Sequence, residues 1–162
     1  MEDVDDARWR TAWELKVFGY INAVRQALPR MLERRQGVIV NIIGTAGVAP
    51  NYGYLCGTAA NGALMNFTKA VGAHAARHGV RVLGVNPGAT ETERLVTLYK
   101  GFANAQLVDE SRWRELLTEL PFGRPIRPQE IADLVTFIAS PRASYLSGVV
   151  IDANGGGIYN RR

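Results

Sequence analysis

Few side chains in this sequence could do chemistry unaided. Cys56 is a nucleophile only as a thiolate, and no histidine has a sequence reason to lie beside it, so a buried thiol is the simpler reading. His74 and His78 stand at i and i+4, a spacing that puts two imidazoles on one helical face, but no third ligand or glutamate completes a metal pattern and no metal is expected. Thr45 offers a hydroxyl just past a strand end. Arg112, Trp113 and Arg114 suit either an aromatic or anionic ligand or one face of an exposed amphipathic helix.

The bulk composition narrows the classes further. With 47% hydrophobic and 21% charged residues, the 162-residue chain reads as one globular unit without disorder. The net charge of +4 is dispersed among acids, as in ERRQ, RWRE and GRPIRPQE, and the C-terminal Asn160-Arg161-Arg162 is too short for a basic face, so no nucleic-acid partner is expected. One cysteine cannot form an internal disulfide, which points to a reducing compartment. The opening MEDVDD is acidic where a leader would be basic, and no apolar run is long enough for a membrane span. A cytoplasmic location follows as the expectation, with no membrane partner.

Periodicity then supplies the elements that must position any site. Residues 7–35 carry Trp13, Val17, Tyr20, Ile21, Val24 and Leu28 at helical spacing, with Pro29 expected to kink or divide the helix. GVIVNII, from Gly37, is a continuous β-branched run suited to a strand covered on both faces. Residues 57–78 form the next helix, with Ala60, Ala63, Leu64, Phe67, Val71 and Ala75 on one side and Gly79 as its stop. VRVLGVN, residues 80–86, is a second buried strand, turned by Pro87-Gly88. Helices around residues 111–120 and 129–139 and a strand at 148–152 complete the chain. The alternation implies right-handed βαβ units and a parallel sheet of about three strands. The first strand looks central yet has nothing before it to pair with, so a preceding part of the fold is expected to be missing.

In this order and spacing the segments WELKVFG, GVIVNIIG, VNPGATET, PFGRPIRPQEIADLV and SYLSGVVIDANGG resemble the short-chain dehydrogenase/reductase family over nearly the whole chain. The resemblance implies an α/β fold, a Rossmann-like doubly wound parallel sheet of which this chain supplies the C-terminal half only, binding NAD or NADP at its carboxyl edge. The family's glycine-rich turn, T-G-x-x-x-G-x-G, does not occur in the sequence, and Gly155-Gly156-Gly157 reads as a loop because no helix of useful length follows it. Choice between NAD and NADP is unreadable, because the family's selector belongs to the same missing region. The family's P-G-x-x-x-T loop matches Pro87, Gly88 and Thr92, preceded by Asn86, and implies contact with the nicotinamide end of the cofactor. The helices 7–35 and 57–78 correspond to the family's dimer interface and imply a homo-oligomer or a partner of the same kind.

The family's acid–base set departs here from its usual residues. Counting back eleven residues from Thr68 of FTKA puts the usual tyrosine at Gly57 and the usual lysine at Asn61, while the serine position falls on Gly44 by two independent registers. The asparagine of the earlier helix corresponds to Lys16. An alternative register makes Tyr54 the family tyrosine, and Thr58 then stands where a lysine should. Two readings follow. Either Lys16 and Asn61 have exchanged places and Tyr54, displaced by three residues, is the proton donor, or the three are a solvated lysine, a helix N-terminal amide and a packed loop aromatic. Function divides in the same way: an atypical nicotinamide-dependent oxidoreductase inactive as this chain alone, or a non-catalytic association module pairing with an intact homologue.

Overall fold

The computed structural model describes residues 4–159, so Asn160-Arg161-Arg162 and the first three residues of MEDVDD lie outside the described residues. Asp5 caps the first helix, α1 (Asp6–Trp13), its carboxylate accepting the Arg8 N–H at 2.8 Å. The chain then widens into a π-helical stretch, Glu14–Phe18, before α2 (Gly19–Glu33). Pro29 does not divide α2, which runs through it, so of the expected kink or division the division does not occur; a π-helical departure from regular α geometry lies at Glu14–Phe18. Packing explains this, because Leu28, Met31 and Leu32 on both sides of the proline are held against Ala75, Val80 and Val82.

Three parallel strands, β1 (Gly37–Ile42), β2 (Val80–Pro87) and β3 (Val150–Ala153), form a sheet in the order β1-β2-β3. Gly37 pairs with Val80 and Gly84 with Val150. The period-two alternation of β2 sends Val80 and Val82 toward α2 and α3 (Leu55–Ala76), and Leu83 and Val85 toward Ile138 of α5 (Pro128–Ala139). Helices therefore cover both faces, as a doubly wound sheet requires. β1 pairs with β2 alone among the described strands, and most of its residues are half-buried.

Two segments differ from their expected form. Residues 93–107 form a helix, α4 (Glu93–Leu107), that sequence periodicity did not single out; Thr92 caps it by accepting the Leu95 N–H. The stretch expected as a helix at 111–120 is a 3-10 helix, Glu110–Glu119. Its Arg112–Glu115 ion pair at 2.7 Å suits that geometry, since residues three apart eclipse there. Trp113 is buried, and Arg114 stacks on its ring at 4.5 Å. The Arg-Trp-Arg run is thus engaged within its own segment.

Arg81, on β2, ties the sheet to the end of α5. Its guanidinium donates to the carbonyls of Ile138, Ala139, Ser140 and Ala143 at 2.7 to 3.0 Å, satisfying the free acceptors of a helix C-terminus with a cation. Arg81→Met is expected to destabilise the fold by about 2–3 kcal/mol, the scale of charge-assisted hydrogen bonds partly open to solvent. Urea unfolding would measure it, and a loss under about 0.5 kcal/mol would contradict this account.

Candidate active site at the carboxyl edge of the sheet

The strands deliver their carboxyl ends to one edge, and buried amides lock the loops there. Asn41 of β1 donates through Nδ2 to Thr68 Oγ1 of α3 at 2.9 Å. Asn86 of β2 accepts the Gly44 N–H at 3.3 Å and donates to Asp152 of β3 at 2.7 Å. One side chain thus links the ends of all three strands. Gly44 is held at φ +131°, a conformation that disfavours any residue with a Cβ.

Around this anchor several of the candidate residues come together. A Cβ added to Gly44 would lie 3.1 Å from Asn61 Nδ2, so the Asn61 amide borders the space that a serine side chain would use. A Cβ on Gly57 would overlap the Tyr54 ring and stand 2.5 Å from its hydroxyl. The Tyr54 phenol therefore occupies the place from which a side chain at position 57 would start. This depends on the three-residue 3-10 turn Tyr52–Tyr54, capped by Asn51, which folds Tyr54 back over the start of α3.

Lys16 reaches the same edge from the π-helical stretch. Its ammonium donates to the Ile43 carbonyl at 2.8 Å and lies 5.3 Å from the Tyr20 ring, whose hydroxyl donates to the Ile42 carbonyl. Burial, and after it the charge of Arg94, holds the Lys16 ammonium below the usual lysine range. Arg94, on α4, was not a candidate from sequence. It donates to Tyr54 Oη at 3.3 Å, and thus it, and not Lys16, is the cation that contacts the phenol. A polar residue opening a helix gave no local signal for a contact made across 40 positions.

The cofactor candidates have structural contacts of their own. Gly88 donates its N–H to Ala153, and a Cβ there would sit 3.2 Å from Asn154 Cβ. Thr92 donates to the Thr90 carbonyl besides capping α4. Asn154 accepts the Gly156 N–H at 2.9 Å, and a short 3-10 turn, Gly157–Tyr159, begins at the last of the three glycines. Two buried polar atoms at this edge lack partners, Asn61 Oδ1 and Asn154 Nδ2. Such atoms cost free energy unless a ligand or water meets them, so the residues present fit the polar end of a bound group.

Cys56 is half-buried, its carbonyl accepting from the Trp13 indole at 3.2 Å. The His74 and His78 rings lie 5.1 Å apart near the end of α3, and among the described residues no group of three His, Cys, Asp or Glu could hold a metal ion. Thr45 opens a 3-10 turn whose carbonyl accepts the Val48 and Ala49 N–H groups.

The family model described as Enoyl-(Acyl carrier protein) reductase matches residues 1–157. The chain belongs to the short-chain dehydrogenase/reductase family. A 4-formylbenzenesulfonate dehydrogenase from Comamonas testosteroni is 37% identical over 130 residues, covering 80% of this chain and 50% of that protein. Among solved structures, 3-ketoacyl-(acyl-carrier-protein) reductase from Brucella melitensis with NADH is 27% identical at a TM-score of 0.80, covering 97% of this chain and 60% of that one. An actinorhodin polyketide ketoreductase variant with NADPH is 28% identical at a TM-score of 0.90, covering 99% and 62%. The chain thus spans about half to three fifths of the length of the family members it matches.

Proposed function

We propose that this chain carries the proton-transfer side of a nicotinamide-dependent oxidoreductase acting on a carbonyl and its alcohol, with Tyr54 as acid and base. The observation that carries the reading is the Tyr54 phenol standing over Gly57, where the family's tyrosine side chain would begin. Asn61 beside Gly44 and Lys16 on the Ile43 carbonyl place an amide and an ammonium at the same edge, which supports an exchange of the family's lysine and asparagine. The nicotinamide supplies or accepts the hydride when bound. Tyr54 would give its proton to the carbonyl oxygen as that oxygen gains charge, and Lys16 and Asn61 would hold the path by which the proton is replaced. Pro87, Gly88 and Thr92, with Asn86 behind them, would form the loop facing the nicotinamide. Relatives with NADH and with NADPH support either NAD or NADP.

The free edge of β1 and the share of each relative that is covered support residues 1–162 acting as the C-terminal portion of one Rossmann-type domain, with the first nucleotide-binding βα units supplied by another segment. Turnover is therefore assayed in a protein retaining a nucleotide-binding half, as oxidation of NADH or NADPH by carbonyl compounds. Lys16→Ala is expected to lower turnover about 100-fold, the lower end of an acid–base contribution. Unchanged turnover would remove Lys16 from the relay.

A second reading, association with another copy or an intact homologue, is favoured by the outer face of α3. Ala59, Ala70, Ala73 and Ala76 are exposed there, interleaved with Asn66, Lys69 and Arg77, a face that a polar partner helix can meet. Leu15 and Phe18 are exposed on the preceding helical segment. Sedimentation at micromolar concentration tests it, with a monomer at all concentrations as the opposing result. No helix among the described residues is long and apolar enough to cross a membrane, and the single cysteine and ordinary surface composition support a cytoplasmic setting.

A further inference from the structure

An open groove of about 920 Å³ runs along α2 and the unpaired edge of β1 to the site, and among the described residues no carboxylate lines it. One end belongs to the open sheet edge, beside Ile39 and Val40; Lys16 and Arg94 stand toward the other, where Lys16 binds the carbonyl that precedes Gly44. Neither cation forms an ion pair with a described residue. The two like charges act on each other, which contributes to the lowered Lys16 pKa. Leu15, Ala12 and Cys56 supply mostly apolar wall close by. A groove carrying one sign of charge concentrates ions of the opposite sign, and its apolar side favours a ligand that brings a hydrocarbon body with the charge.

We propose that this end of the groove binds a small organic anion, an apolar body bearing one oxyanion group, with that group between Lys16 Nζ and the Arg94 guanidinium. Arg94 also donates to Tyr54 Oη, so the anion is a substituent of the carbonyl substrate, close to the reacting oxygen. In that respect the inference rests on the catalytic reading of Tyr54. Arg94 is the specificity-determining residue and Lys16 its companion. A neutral substrate of the same shape would give neither cation a partner of opposite charge.

The 162-residue chain is titrated with 4-phenylbutyrate, with its uncharged amide and with nicotinamide mononucleotide, following the amide resonances of Gly44 and Gly57. The carboxylate is expected to bind at least about ten-fold more tightly than the amide, with Arg94→Met removing that preference and Arg94→Lys keeping most of it. Arg94 is exposed, so these variants keep the fold; thermal unfolding checks this. Equal affinity for acid and amide, no binding of the acid, or a preference that survives Arg94→Met would each overturn the proposal. So would mononucleotide binding about ten-fold tighter than the carboxylate and lost in Arg94→Met, since the cations would then serve a cofactor phosphate. The two readings fail separately. Turnover that survives Tyr54→Phe removes the catalytic role of Tyr54 and leaves the anion preference standing, whereas acid and amide binding alike removes the anion site and leaves the catalytic reading intact.

Discussion

Tyr54→Phe is expected to lower turnover about 10³-fold in a protein that retains a nucleotide-binding half, within the range by which a positioned general acid contributes. The substitution removes one oxygen and keeps the ring, so Gly57 stays covered and the fold is unchanged. The only hydrogen bond lost is the 3.3 Å contact from Arg94, which is exposed and regains water. Thermal unfolding should therefore match the parent while the rate falls. Tyr52→Phe, at a side chain 72% exposed two positions earlier, should leave the rate within about two-fold. Gly57→Ala gives an independent check, because the added methyl overlaps the Tyr54 ring and must move it. If Tyr54→Phe and Gly57→Ala both turn over at the parental rate, the phenol is a packed aromatic and the proton donor lies elsewhere.

Gly72→Ala is expected to destabilise the fold by about 3 kcal/mol, at the upper end of overpacking costs, and to shift the urea midpoint accordingly. The added Cβ would lie 2.6 Å from the Val82 carbonyl oxygen and 2.6 Å from Gly148 Cα. Both are backbone atoms, so no side chain can rotate away. The neighbourhood is also locked by Ser147, which donates to the Gly72 carbonyl at 2.8 Å and accepts the Val82 N–H at 3.2 Å. Gly148 sits at φ +68° against the same turn of α3, so a shift of that loop meets its own conformational limit. Gly101→Ala is the internal comparison: a Cβ there meets nothing within 4 Å, and the substitution should stabilise α4 by about 0.5–1 kcal/mol. A loss under about 1 kcal/mol for Gly72→Ala would show that α3 can slide on the sheet.

The sequence by itself determined the strands, most of the helices and the residue types at the positions where the family resemblance expects an acid–base set. These follow from near-neighbour rules: the β-branched run at Gly37, the alternation of VRVLGVN, the helical period after Leu55 and the residue types at positions 16, 44, 57 and 61. It went wrong where local propensity competes with packing. Pro29 is carried through α2 because its neighbours are buried against the sheet, and α4 went unforeseen because its buried residues, Leu95 and Ala103, are too few to mark a stripe. Only the tertiary structure decided which side chains meet at the candidate site. The Tyr54 ring over Gly57, the Asn61 amide beside Gly44, the Arg94 guanidinium on the phenol and the four carbonyls around Arg81 depend on how a folded loop or two separate segments meet. A glycine reads in sequence as an absence, whereas in the fold it is space, and which neighbour fills that space is set by the packing of α3 and α4 against the strand ends.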